Sequence, residues 1–290
     1  MKNLVFTILI LTVVGACGAS IFDYFTTIYN QAREHVVDLA DDDYAFAHTG
    51  AVFGGLVEED EVLSMNYGLE SGVSYNVFLF GDEDANDLDI KIYAEDGDMI
   101  ESDTAVSSSA QITFTVPEDG NYRVEAINYS SDASVFMLGG IMAQGDSHSN
   151  SAELFNQAFN RMIAKGQELD EEEDIYFFSN SICFGGGVVP EGENGCVYDL
   201  EFPDDSDIWA AAVAADNCDD VDVKITRQDR RANVDTDWYS DDAELICSEA
   251  STEAVSLVEG EVEEDENYAV KYRNYSSDGD TFVVYFIVRD

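Results

Sequence analysis

The sequence predicts a mainly β chain: two tandem antiparallel β-sandwiches, each preceded by an amphipathic α-helix. Three observations carry this expectation, namely an internal duplication, a helical apolar stripe at the head of each copy, and a train of short β-rich runs after each stripe. Val116 to Asp132 (VPEDGNYRVEAINYSSD) aligns without gaps on Val262 to Asp278 (VEEDENYAVKYRNYSSD), with 11 of 17 positions identical. Upstream, Asp87 to Ile92 (DLDIKI) matches Asp220 to Ile225 (DVDVKI), Phe53 to Gly55 matches Phe184 to Gly186, and Tyr29 to Ala32 matches Phe155 to Ala158. The blocks keep their order, and the offset between copies grows from 126 to 146 residues through loop insertions. A repeat of this length implies one supersecondary unit used twice.

In chain order, Met1 and Lys2 precede an apolar run from Leu4 to Val14 and small residues from Gly15 to Ala19. A basic start, an apolar stretch and a small-residue zone predict a signal peptide over residues 1–18 and a secreted or cell-surface protein. The run is too short for a membrane-spanning helix of about 20 residues. The VGAC sequence ending at Cys17 has the form of a bacterial lipobox, so lipidation at Cys17 and ordinary cleavage nearby are both open. The first module then occupies 19–146 and the second 147–290, with the boundary in the polar stretch from Gln144 to Ser151.

Ile21, Phe22, Phe25, Ile28, Tyr29, Ala32, Val36 and Leu39 fall on one helical face, and Leu154, Phe155, Ala158, Phe159, Met162 and Ile163 repeat the pattern. Asn150 with Glu153 predicts a capping box before the second helix. Each stripe is expected to pack on its own module, because the polar faces lack the basic residues that anionic lipid requires. Strands are predicted at 75–80, 88–94, 111–116, 122–128 and 134–138, then at 208–214, 221–226, 255–258, 268–272 and 281–288. Many short strands at this spacing favour a sandwich over a parallel sheet.

With 61 acidic residues against 13 basic ones the net charge is −48, which repels nucleic acid and anionic membranes. A hydrophobic content of 46% and an aromatic content of 12% are those of a folded chain, so the acid belongs on a solvated surface. Cys183, Cys196, Cys218 and Cys247 form an even set in an exported chain and predict two disulfides. The local pairings Cys183 with Cys196 and Cys218 with Cys247 are favoured over zinc, since no CxxC occurs and no histidine is near.

The runs from Asp87 to Tyr93 and from Phe114 to Val124 (FTVPEDGNYRV) resemble the bacterial pre-peptidase C-terminal domain. The resemblance covers roughly the later two thirds of each copy. It implies a jelly-roll-like sandwich that is non-catalytic and binds calcium or a matrix polymer. The second copy departs from the motif, with Glu263 for Pro117 and Glu266 for Gly120.

The acidic loop before the DxDxKI strand is the candidate cation site, formed by Asp82, Asp84, Asn86, Asp87 and Asp89 and by Asp216, Asn217, Asp219, Asp220 and Asp222. Oxygen ligands at alternate positions suit Ca²⁺, although Asp87 stands where an EF-hand loop requires glycine. Asn128 and Asn274 head NYS sequons at matching positions and serve either as glycosylation sites or as side-chain-bonded turns. Asp146 and Ser147 imitate a GDSL nucleophile block, but no histidine follows His148. The expected function is a non-enzymatic binding protein for an extracellular polymer or protein. A self-assembling fibre or surface-layer subunit is the first alternative, and a carboxylate-based hydrolase the second.

Overall fold

Each copy begins with the helix that its stripe predicts. In the computed structural model, which describes residues 21–145, 150–202, 205–228, 238, 244–249, 252–264 and 266–289, α1 (Ile21–Asp41) is followed by the short β1 (Tyr44–Ala45). Then come β2 (Val52–Val57), β3 (Val62–Leu69), β4 (Ser74–Gly81), β5 (Ala85–Ala94), β6 (Met99–Asp103), β7 (Ser109–Thr115), β8 (Gly120–Ser131) and β9 (Val135–Gln144). The second copy repeats this order with α2 (Ser151–Glu172), β10 (Phe184–Val189), β11 (Asn194–Glu201), β12 (Ser206–Ala214), β13 (Cys218–Gln228), β14 (Glu244–Glu249), β15 (Val255–Val262), β16 (Asn267–Ser277) and β17 (Thr281–Arg289). The expected leader, Cys17, Asp146 and Ser147 lie outside the described residues.

Strand order makes each copy an eight-stranded jelly roll. In the first, β2-β9-β4-β7 faces β3-β8-β5-β6; in the second, β10-β17-β12-β15 faces β11-β16-β13-β14. The larger sheets of the two copies are one: β2 pairs antiparallel with β10, giving a continuous nine-stranded sheet that includes β1. Phe53 faces Gly185 and Gly54 faces Phe184. Because Phe184 and Gly185 are the counterparts of Phe53 and Gly54, the seam carries the reciprocal contacts of a twofold axis. The duplicated chain therefore folds as an internal pseudo-dimer.

Both helices cover the outer face of this sheet and meet over the seam. Phe159 of α2 lies parallel to Tyr29 of α1 at 5.5 Å and to Phe25 at 6.0 Å. Phe22 reaches Phe286 of β17, and Phe155 reaches Phe282. The odd-numbered neighbour Tyr285 stacks instead on Tyr272 of the small sheet. With helices on one side and a second sheet on the other, β17 is buried at every position from Thr281 to Val288. That is why it reads as a continuous apolar run and not as an alternating one. The capping box is not formed: Asn150 makes no side-chain cap bond, and Glu153 bonds Gln157 instead. Among the described residues, no helix is long and apolar enough to cross a membrane.

The expected disulfides are also corrected, since all four described cysteines are free thiols. Cys247 faces Ile225, whereas Cys218 faces Ser277 at the far end of β13. A separation of seven residues along a strand is about 23 Å, beyond the reach of a bridge. Cys183 lies at the head of β10 in the large sheet, with its thiol on the Phe178 carbonyl at 3.2 Å. Cys196 lies in β11 of the other layer.

The sequons are structural. Asn128 and Asn274 are fully buried, and the amide that would carry a glycan is already committed. Asn128 Nδ2 donates to the Val57 carbonyl at 3.0 Å and to Ser131 Oγ at 2.9 Å. Asn274 Nδ2 donates to the Val189 carbonyl at 3.0 Å and to Ser277 Oγ at 2.7 Å. Each asparagine thus ties the end of the seam strand to the small sheet of its own copy, which corrects the glycosylation reading. Asn128→Ala and Asn274→Ala are each expected to cost about 1–3 kcal/mol, the penalty for stranding a buried acceptor. The double variant should lose close to the sum, and denaturant midpoints of the three proteins would measure it.

Candidate functional site

Where the large sheets join, the small sheets do not. β3 and β11 are the edge strands of the two four-stranded sheets, and a cleft of about 710 Å³ lies between them over the β2–β10 seam. Its walls are Val62 to Gly68 on one side and Asn194, Cys196, Val197 and Leu200 on the other. The floor comes from two lead-in segments, His48 to Gly50 and Asn180 to Ile182. They are counterparts in the repeat, so the cleft sits on the pseudo-twofold axis. Its volume falls in the range of ligand-binding clefts.

Each lead-in segment is fastened to the opposite copy. Tyr272 Oη of the second copy donates to the Thr49 carbonyl, beside a bond within the first copy from Tyr67 Oη to the Gly50 carbonyl at 3.0 Å. Asn180 N–H donates to the Leu56 carbonyl at 2.7 Å, while its Oδ1 accepts from Glu58 N–H at 2.8 Å. These crossings demand glycine. A Cβ on Gly187 would stand 2.0 Å from the His48 carbonyl oxygen, and one on Gly55 would stand 2.0 Å from that of Ser181. The His48 ring lies 5.8 Å from the Tyr67 ring and 6.3 Å from the Tyr75 ring, nearly parallel to the latter. Burial pushes the phenols of Tyr67, Tyr272 and Tyr285 above their ordinary range, so they remain donors at every physiological pH.

Among the described residues the lining contains no Asp, Glu, Lys or Arg. About one residue in five of this chain is acidic, 61 of 290, so a lining of seventeen residues without one is a departure from the whole. Ser64, Asn66, Asn180, Ser181 and Asn194 offer neutral donors and acceptors in their place.

The acidic stretches singled out from sequence divide into two kinds. Their loop halves satisfy the turns. Asp82 accepts from the Asp84 and Phe136 N–H groups, Asn86 bonds Asp132, Asp216 pairs with Arg161 at 2.7 Å, and Asn217 bridges the Asp278 and Asp280 carbonyls. Asp219 is exposed. The strand halves, Asp87 with Asp89 and Asp220 with Asp222, occupy equivalent positions on the small sheets, alternating with the core residues Leu88 and Val221. Among the described residues no three His, Cys, Asp or Glu side chains gather to hold a metal ion, so the two expected calcium loops are not assembled as clusters.

In each strand pair the first carboxylate raises the titration of the second. Burial, then the Asp220 charge, pushes the Asp222 carboxyl up to about 6, with Arg273 opposing. Burial and Asp87 raise Asp89. A carboxyl whose folded pKa lies above its unfolded value of 3.8 holds its proton more tightly when folded, so stability falls as pH rises between about 4 and 6. Asp222→Asn is therefore expected to stabilise the protein at pH 7 by about 2 kcal/mol, after allowance for solvent near the pair. The gain should vanish below about pH 4. Thermal melts at the two pH values measure both numbers, and an equal gain at each would remove the assignment.

No protein-family model and no curated protein matches the sequence. Solved structures show distant likeness. The tandem CBM22-1 and CBM22-2 domains of Paenibacillus barcinonensis Xyn10C share 9% identity over 80% of either chain, with a TM-score of 0.24. PliG of Aeromonas hydrophila, a periplasmic inhibitor of g-type lysozyme, shares 12% over 33% of this chain and 87% of its own, with a TM-score of 0.25. TmCBM61, solved with β-1,4-galactotriose, shares 14% over 30% of this chain and 66% of its own, with a TM-score of 0.23.

The cleft was not found from sequence, because its walls and seam are the strands that sequence reasoning passed over. The signal that existed was the FGG block shared by the copies, Phe53 to Gly55 and Phe184 to Gly186. Two glycines in a strand mark a place where another backbone comes close.

Proposed function

We propose that this protein is a non-enzymatic, exported binding protein that takes an uncharged segment of an extracellular polymer or protein in the cleft on its pseudo-twofold axis. The observation that carries the reading is the uncharged lining within a chain of net charge −48. Desolvating a neutral amide or hydroxyl against a neutral partner costs far less than desolvating an ion. The same lining argues against a carboxylate-based hydrolase, which needs two facing acids at its centre.

A fibre built through the sheet ends is opposed by a different feature. At one end of the nine-stranded sheet Asp103 Oδ2 accepts from the Gln111 N–H of β7 at 2.9 Å. At the other, Glu249 Oε2 accepts from the Leu257 N–H of β15 at 2.7 Å. Charged groups capping an edge are a standard defence against edge-to-edge assembly.

The test is retention of the full chain on two panels, insoluble neutral polysaccharides (cellulose, xylan, chitin) and displayed random dodecapeptides. Retention on either is expected, without release of hydrolysis products, and with loss of retention in the cleft-filling variant Ser64→Trp. Ser64 is exposed on β3, so the variant should melt like the parent. Failure on both panels, or equal retention of the variant, overturns the reading. Export and the fate of Cys17 are part of the same proposal, and the mass of the mature N-terminus decides them.

A further inference from the structure

We propose that the outer face of the first copy's small sheet binds an arginine side chain of a partner protein, stacked on the Tyr129 ring and facing Asp87 and Asp89. This site is separate from the cleft, and the second copy supplies its template. There Tyr275 is exposed, and the Arg273 guanidinium lies over its ring at 5.4 Å. Arg273 also stands opposite Asp222 in the strand register and opposes the rise of its carboxyl. A guanidinium placed between an aromatic face and a pair of carboxylates is held by both.

The first copy keeps the ring and both carboxylates and lacks the cation. Tyr129 and Ile127 are the counterparts of Tyr275 and Arg273, and Asp87 and Asp89 are those of Asp220 and Asp222. Tyr129 alternates with the buried Asn128 and so projects from the outer face, 59% exposed. Ile127 stands opposite Asp89 as Arg273 stands opposite Asp222, and Asp87 lies across from Ser130, the residue after Tyr129. Among the described residues no cation lies over the Tyr129 ring. Arg123, the arginine of this strand, is committed to Glu125 at 2.6 Å and to the Tyr93 ring, and Lys91 offsets Asp89 only in part. Asp87 is 9% exposed, and its Oδ1 is buried with no hydrogen-bond partner among the described residues. A buried acceptor without a donor is costly, and a guanidinium brings five donors.

The turn beside the tyrosine has diverged in the direction a cation requires. The same bonds hold it in both copies: Asp60 N–H donates to the Asn128 carbonyl and Gly192 N–H to the Asn274 carbonyl, while the Asn128 and Asn274 N–H groups donate to the Glu61 and Glu193 carbonyls. The second copy has Pro190, Glu191, Gly192 and Glu193 where the first has Glu58, Glu59, Asp60 and Glu61, all four exposed. Two acids gained here and one base lost at Ile127 leave the first copy three charges more negative around its tyrosine. Asp60 adopts a left-handed φ of 68° where Gly192 has 80°, so an acid stands where glycine is the relaxed choice. A basic partner is complementary to this end of the sheet, and its on-rate would fall with salt.

The experiment titrates the full chain, isotope-labelled on its tyrosine rings, with the peptide acetyl-Gly-Arg-Gly-amide at physiological ionic strength. A citrulline counterpart keeps the shape of the side chain without its charge. The Tyr129 resonance, identified by its absence in Tyr129→Leu, should shift saturably with the arginine peptide, and the citrulline peptide should bind at least about fivefold more weakly. Ile127→Arg, which gives the first copy the residue of the second, and Asp87→Asn are first matched to the parent by thermal melt. Each should weaken arginine binding by at least about fivefold. Absence of a saturable shift, equal binding of citrulline, or arginine binding that survives Ile127→Arg overturns the site. Equal binding of a lysine peptide overturns the choice of arginine, since only the planar guanidinium stacks on the ring.

Discussion

Gly187→Ala is expected to destabilise the whole chain by about 3 kcal/mol or more, whereas Gly120→Ala, in the same kind of strand, should cost less than about 1 kcal/mol. The difference lies in what a methyl group meets. On Gly120 the nearest atom is a ring carbon of Tyr122 at 3.9 Å, an ordinary contact; on Gly187 it is the backbone oxygen of His48 at 2.0 Å. That oxygen belongs to the other copy, and its segment is held by the Tyr272 hydroxyl bond to the neighbouring Thr49 carbonyl. Relief would require the two jelly rolls to separate at their seam. Denaturant unfolding followed by tryptophan fluorescence, whose sources Trp209 and Trp238 both lie in the second copy, and by far-UV circular dichroism should shift together. Equal midpoints for the two glycine variants would show that the seam is not close-packed.

Phe159→Ala should cost about 3–5 kcal/mol, the usual penalty for deleting a buried ring. Phe159 is fully buried and lies against Tyr29, Phe25 and Phe155, with ring centroids 5.5, 6.0 and 4.5 Å away. Two of these neighbours are in α1, so the loss falls on the contact between copies. A double-mutant cycle with Tyr29→Phe leaves the stack in place and removes only the hydroxyl, while Tyr29→Ala removes the ring. The ring is expected to couple to Phe159 by about 0.5–1.5 kcal/mol and the hydroxyl not at all. Additive costs for both substitutions would mean that the helices share a boundary without stabilising each other.

Both predictions concern contacts between halves of the chain more than a hundred residues apart, and this marks the division between what sequence and structure supply. The class of fold was legible. The helices are announced by apolar stripes at helical spacing, and β4, β5, β7, β8, β9 and their counterparts β12, β13, β15, β16 and β17 by apolar or alternating runs. The duplication was legible too, through its identical NYSSD turns, whose asparagines prove to be buried ties.

The strands passed over were β1, β2, β3, β6, β10, β11 and β14. The local sequences of β2 and β10, VFGGLV and FGGGVV, argue against a strand, since glycine has no side chain to pack and loses the most freedom on ordering. What makes them strands is close backbone approach: at Gly55, Gly185 and Gly187 a carbonyl oxygen of the other copy occupies the space where a Cβ would be. The disulfides failed for a related reason: spacing along the chain says nothing of which layer of a sandwich a residue joins, as for Cys183 and Cys196, or of how far along a shared sheet it stands, as for Cys218 and Cys247. By itself, then, the sequence determined two acidic, duplicated helix-plus-β-sandwich modules, because periodicity and repetition are local properties. Tertiary structure alone decided that their large sheets fuse while their small sheets stay apart, because that depends on backbone approach between copies, and the uncharged cleft exists only as its consequence.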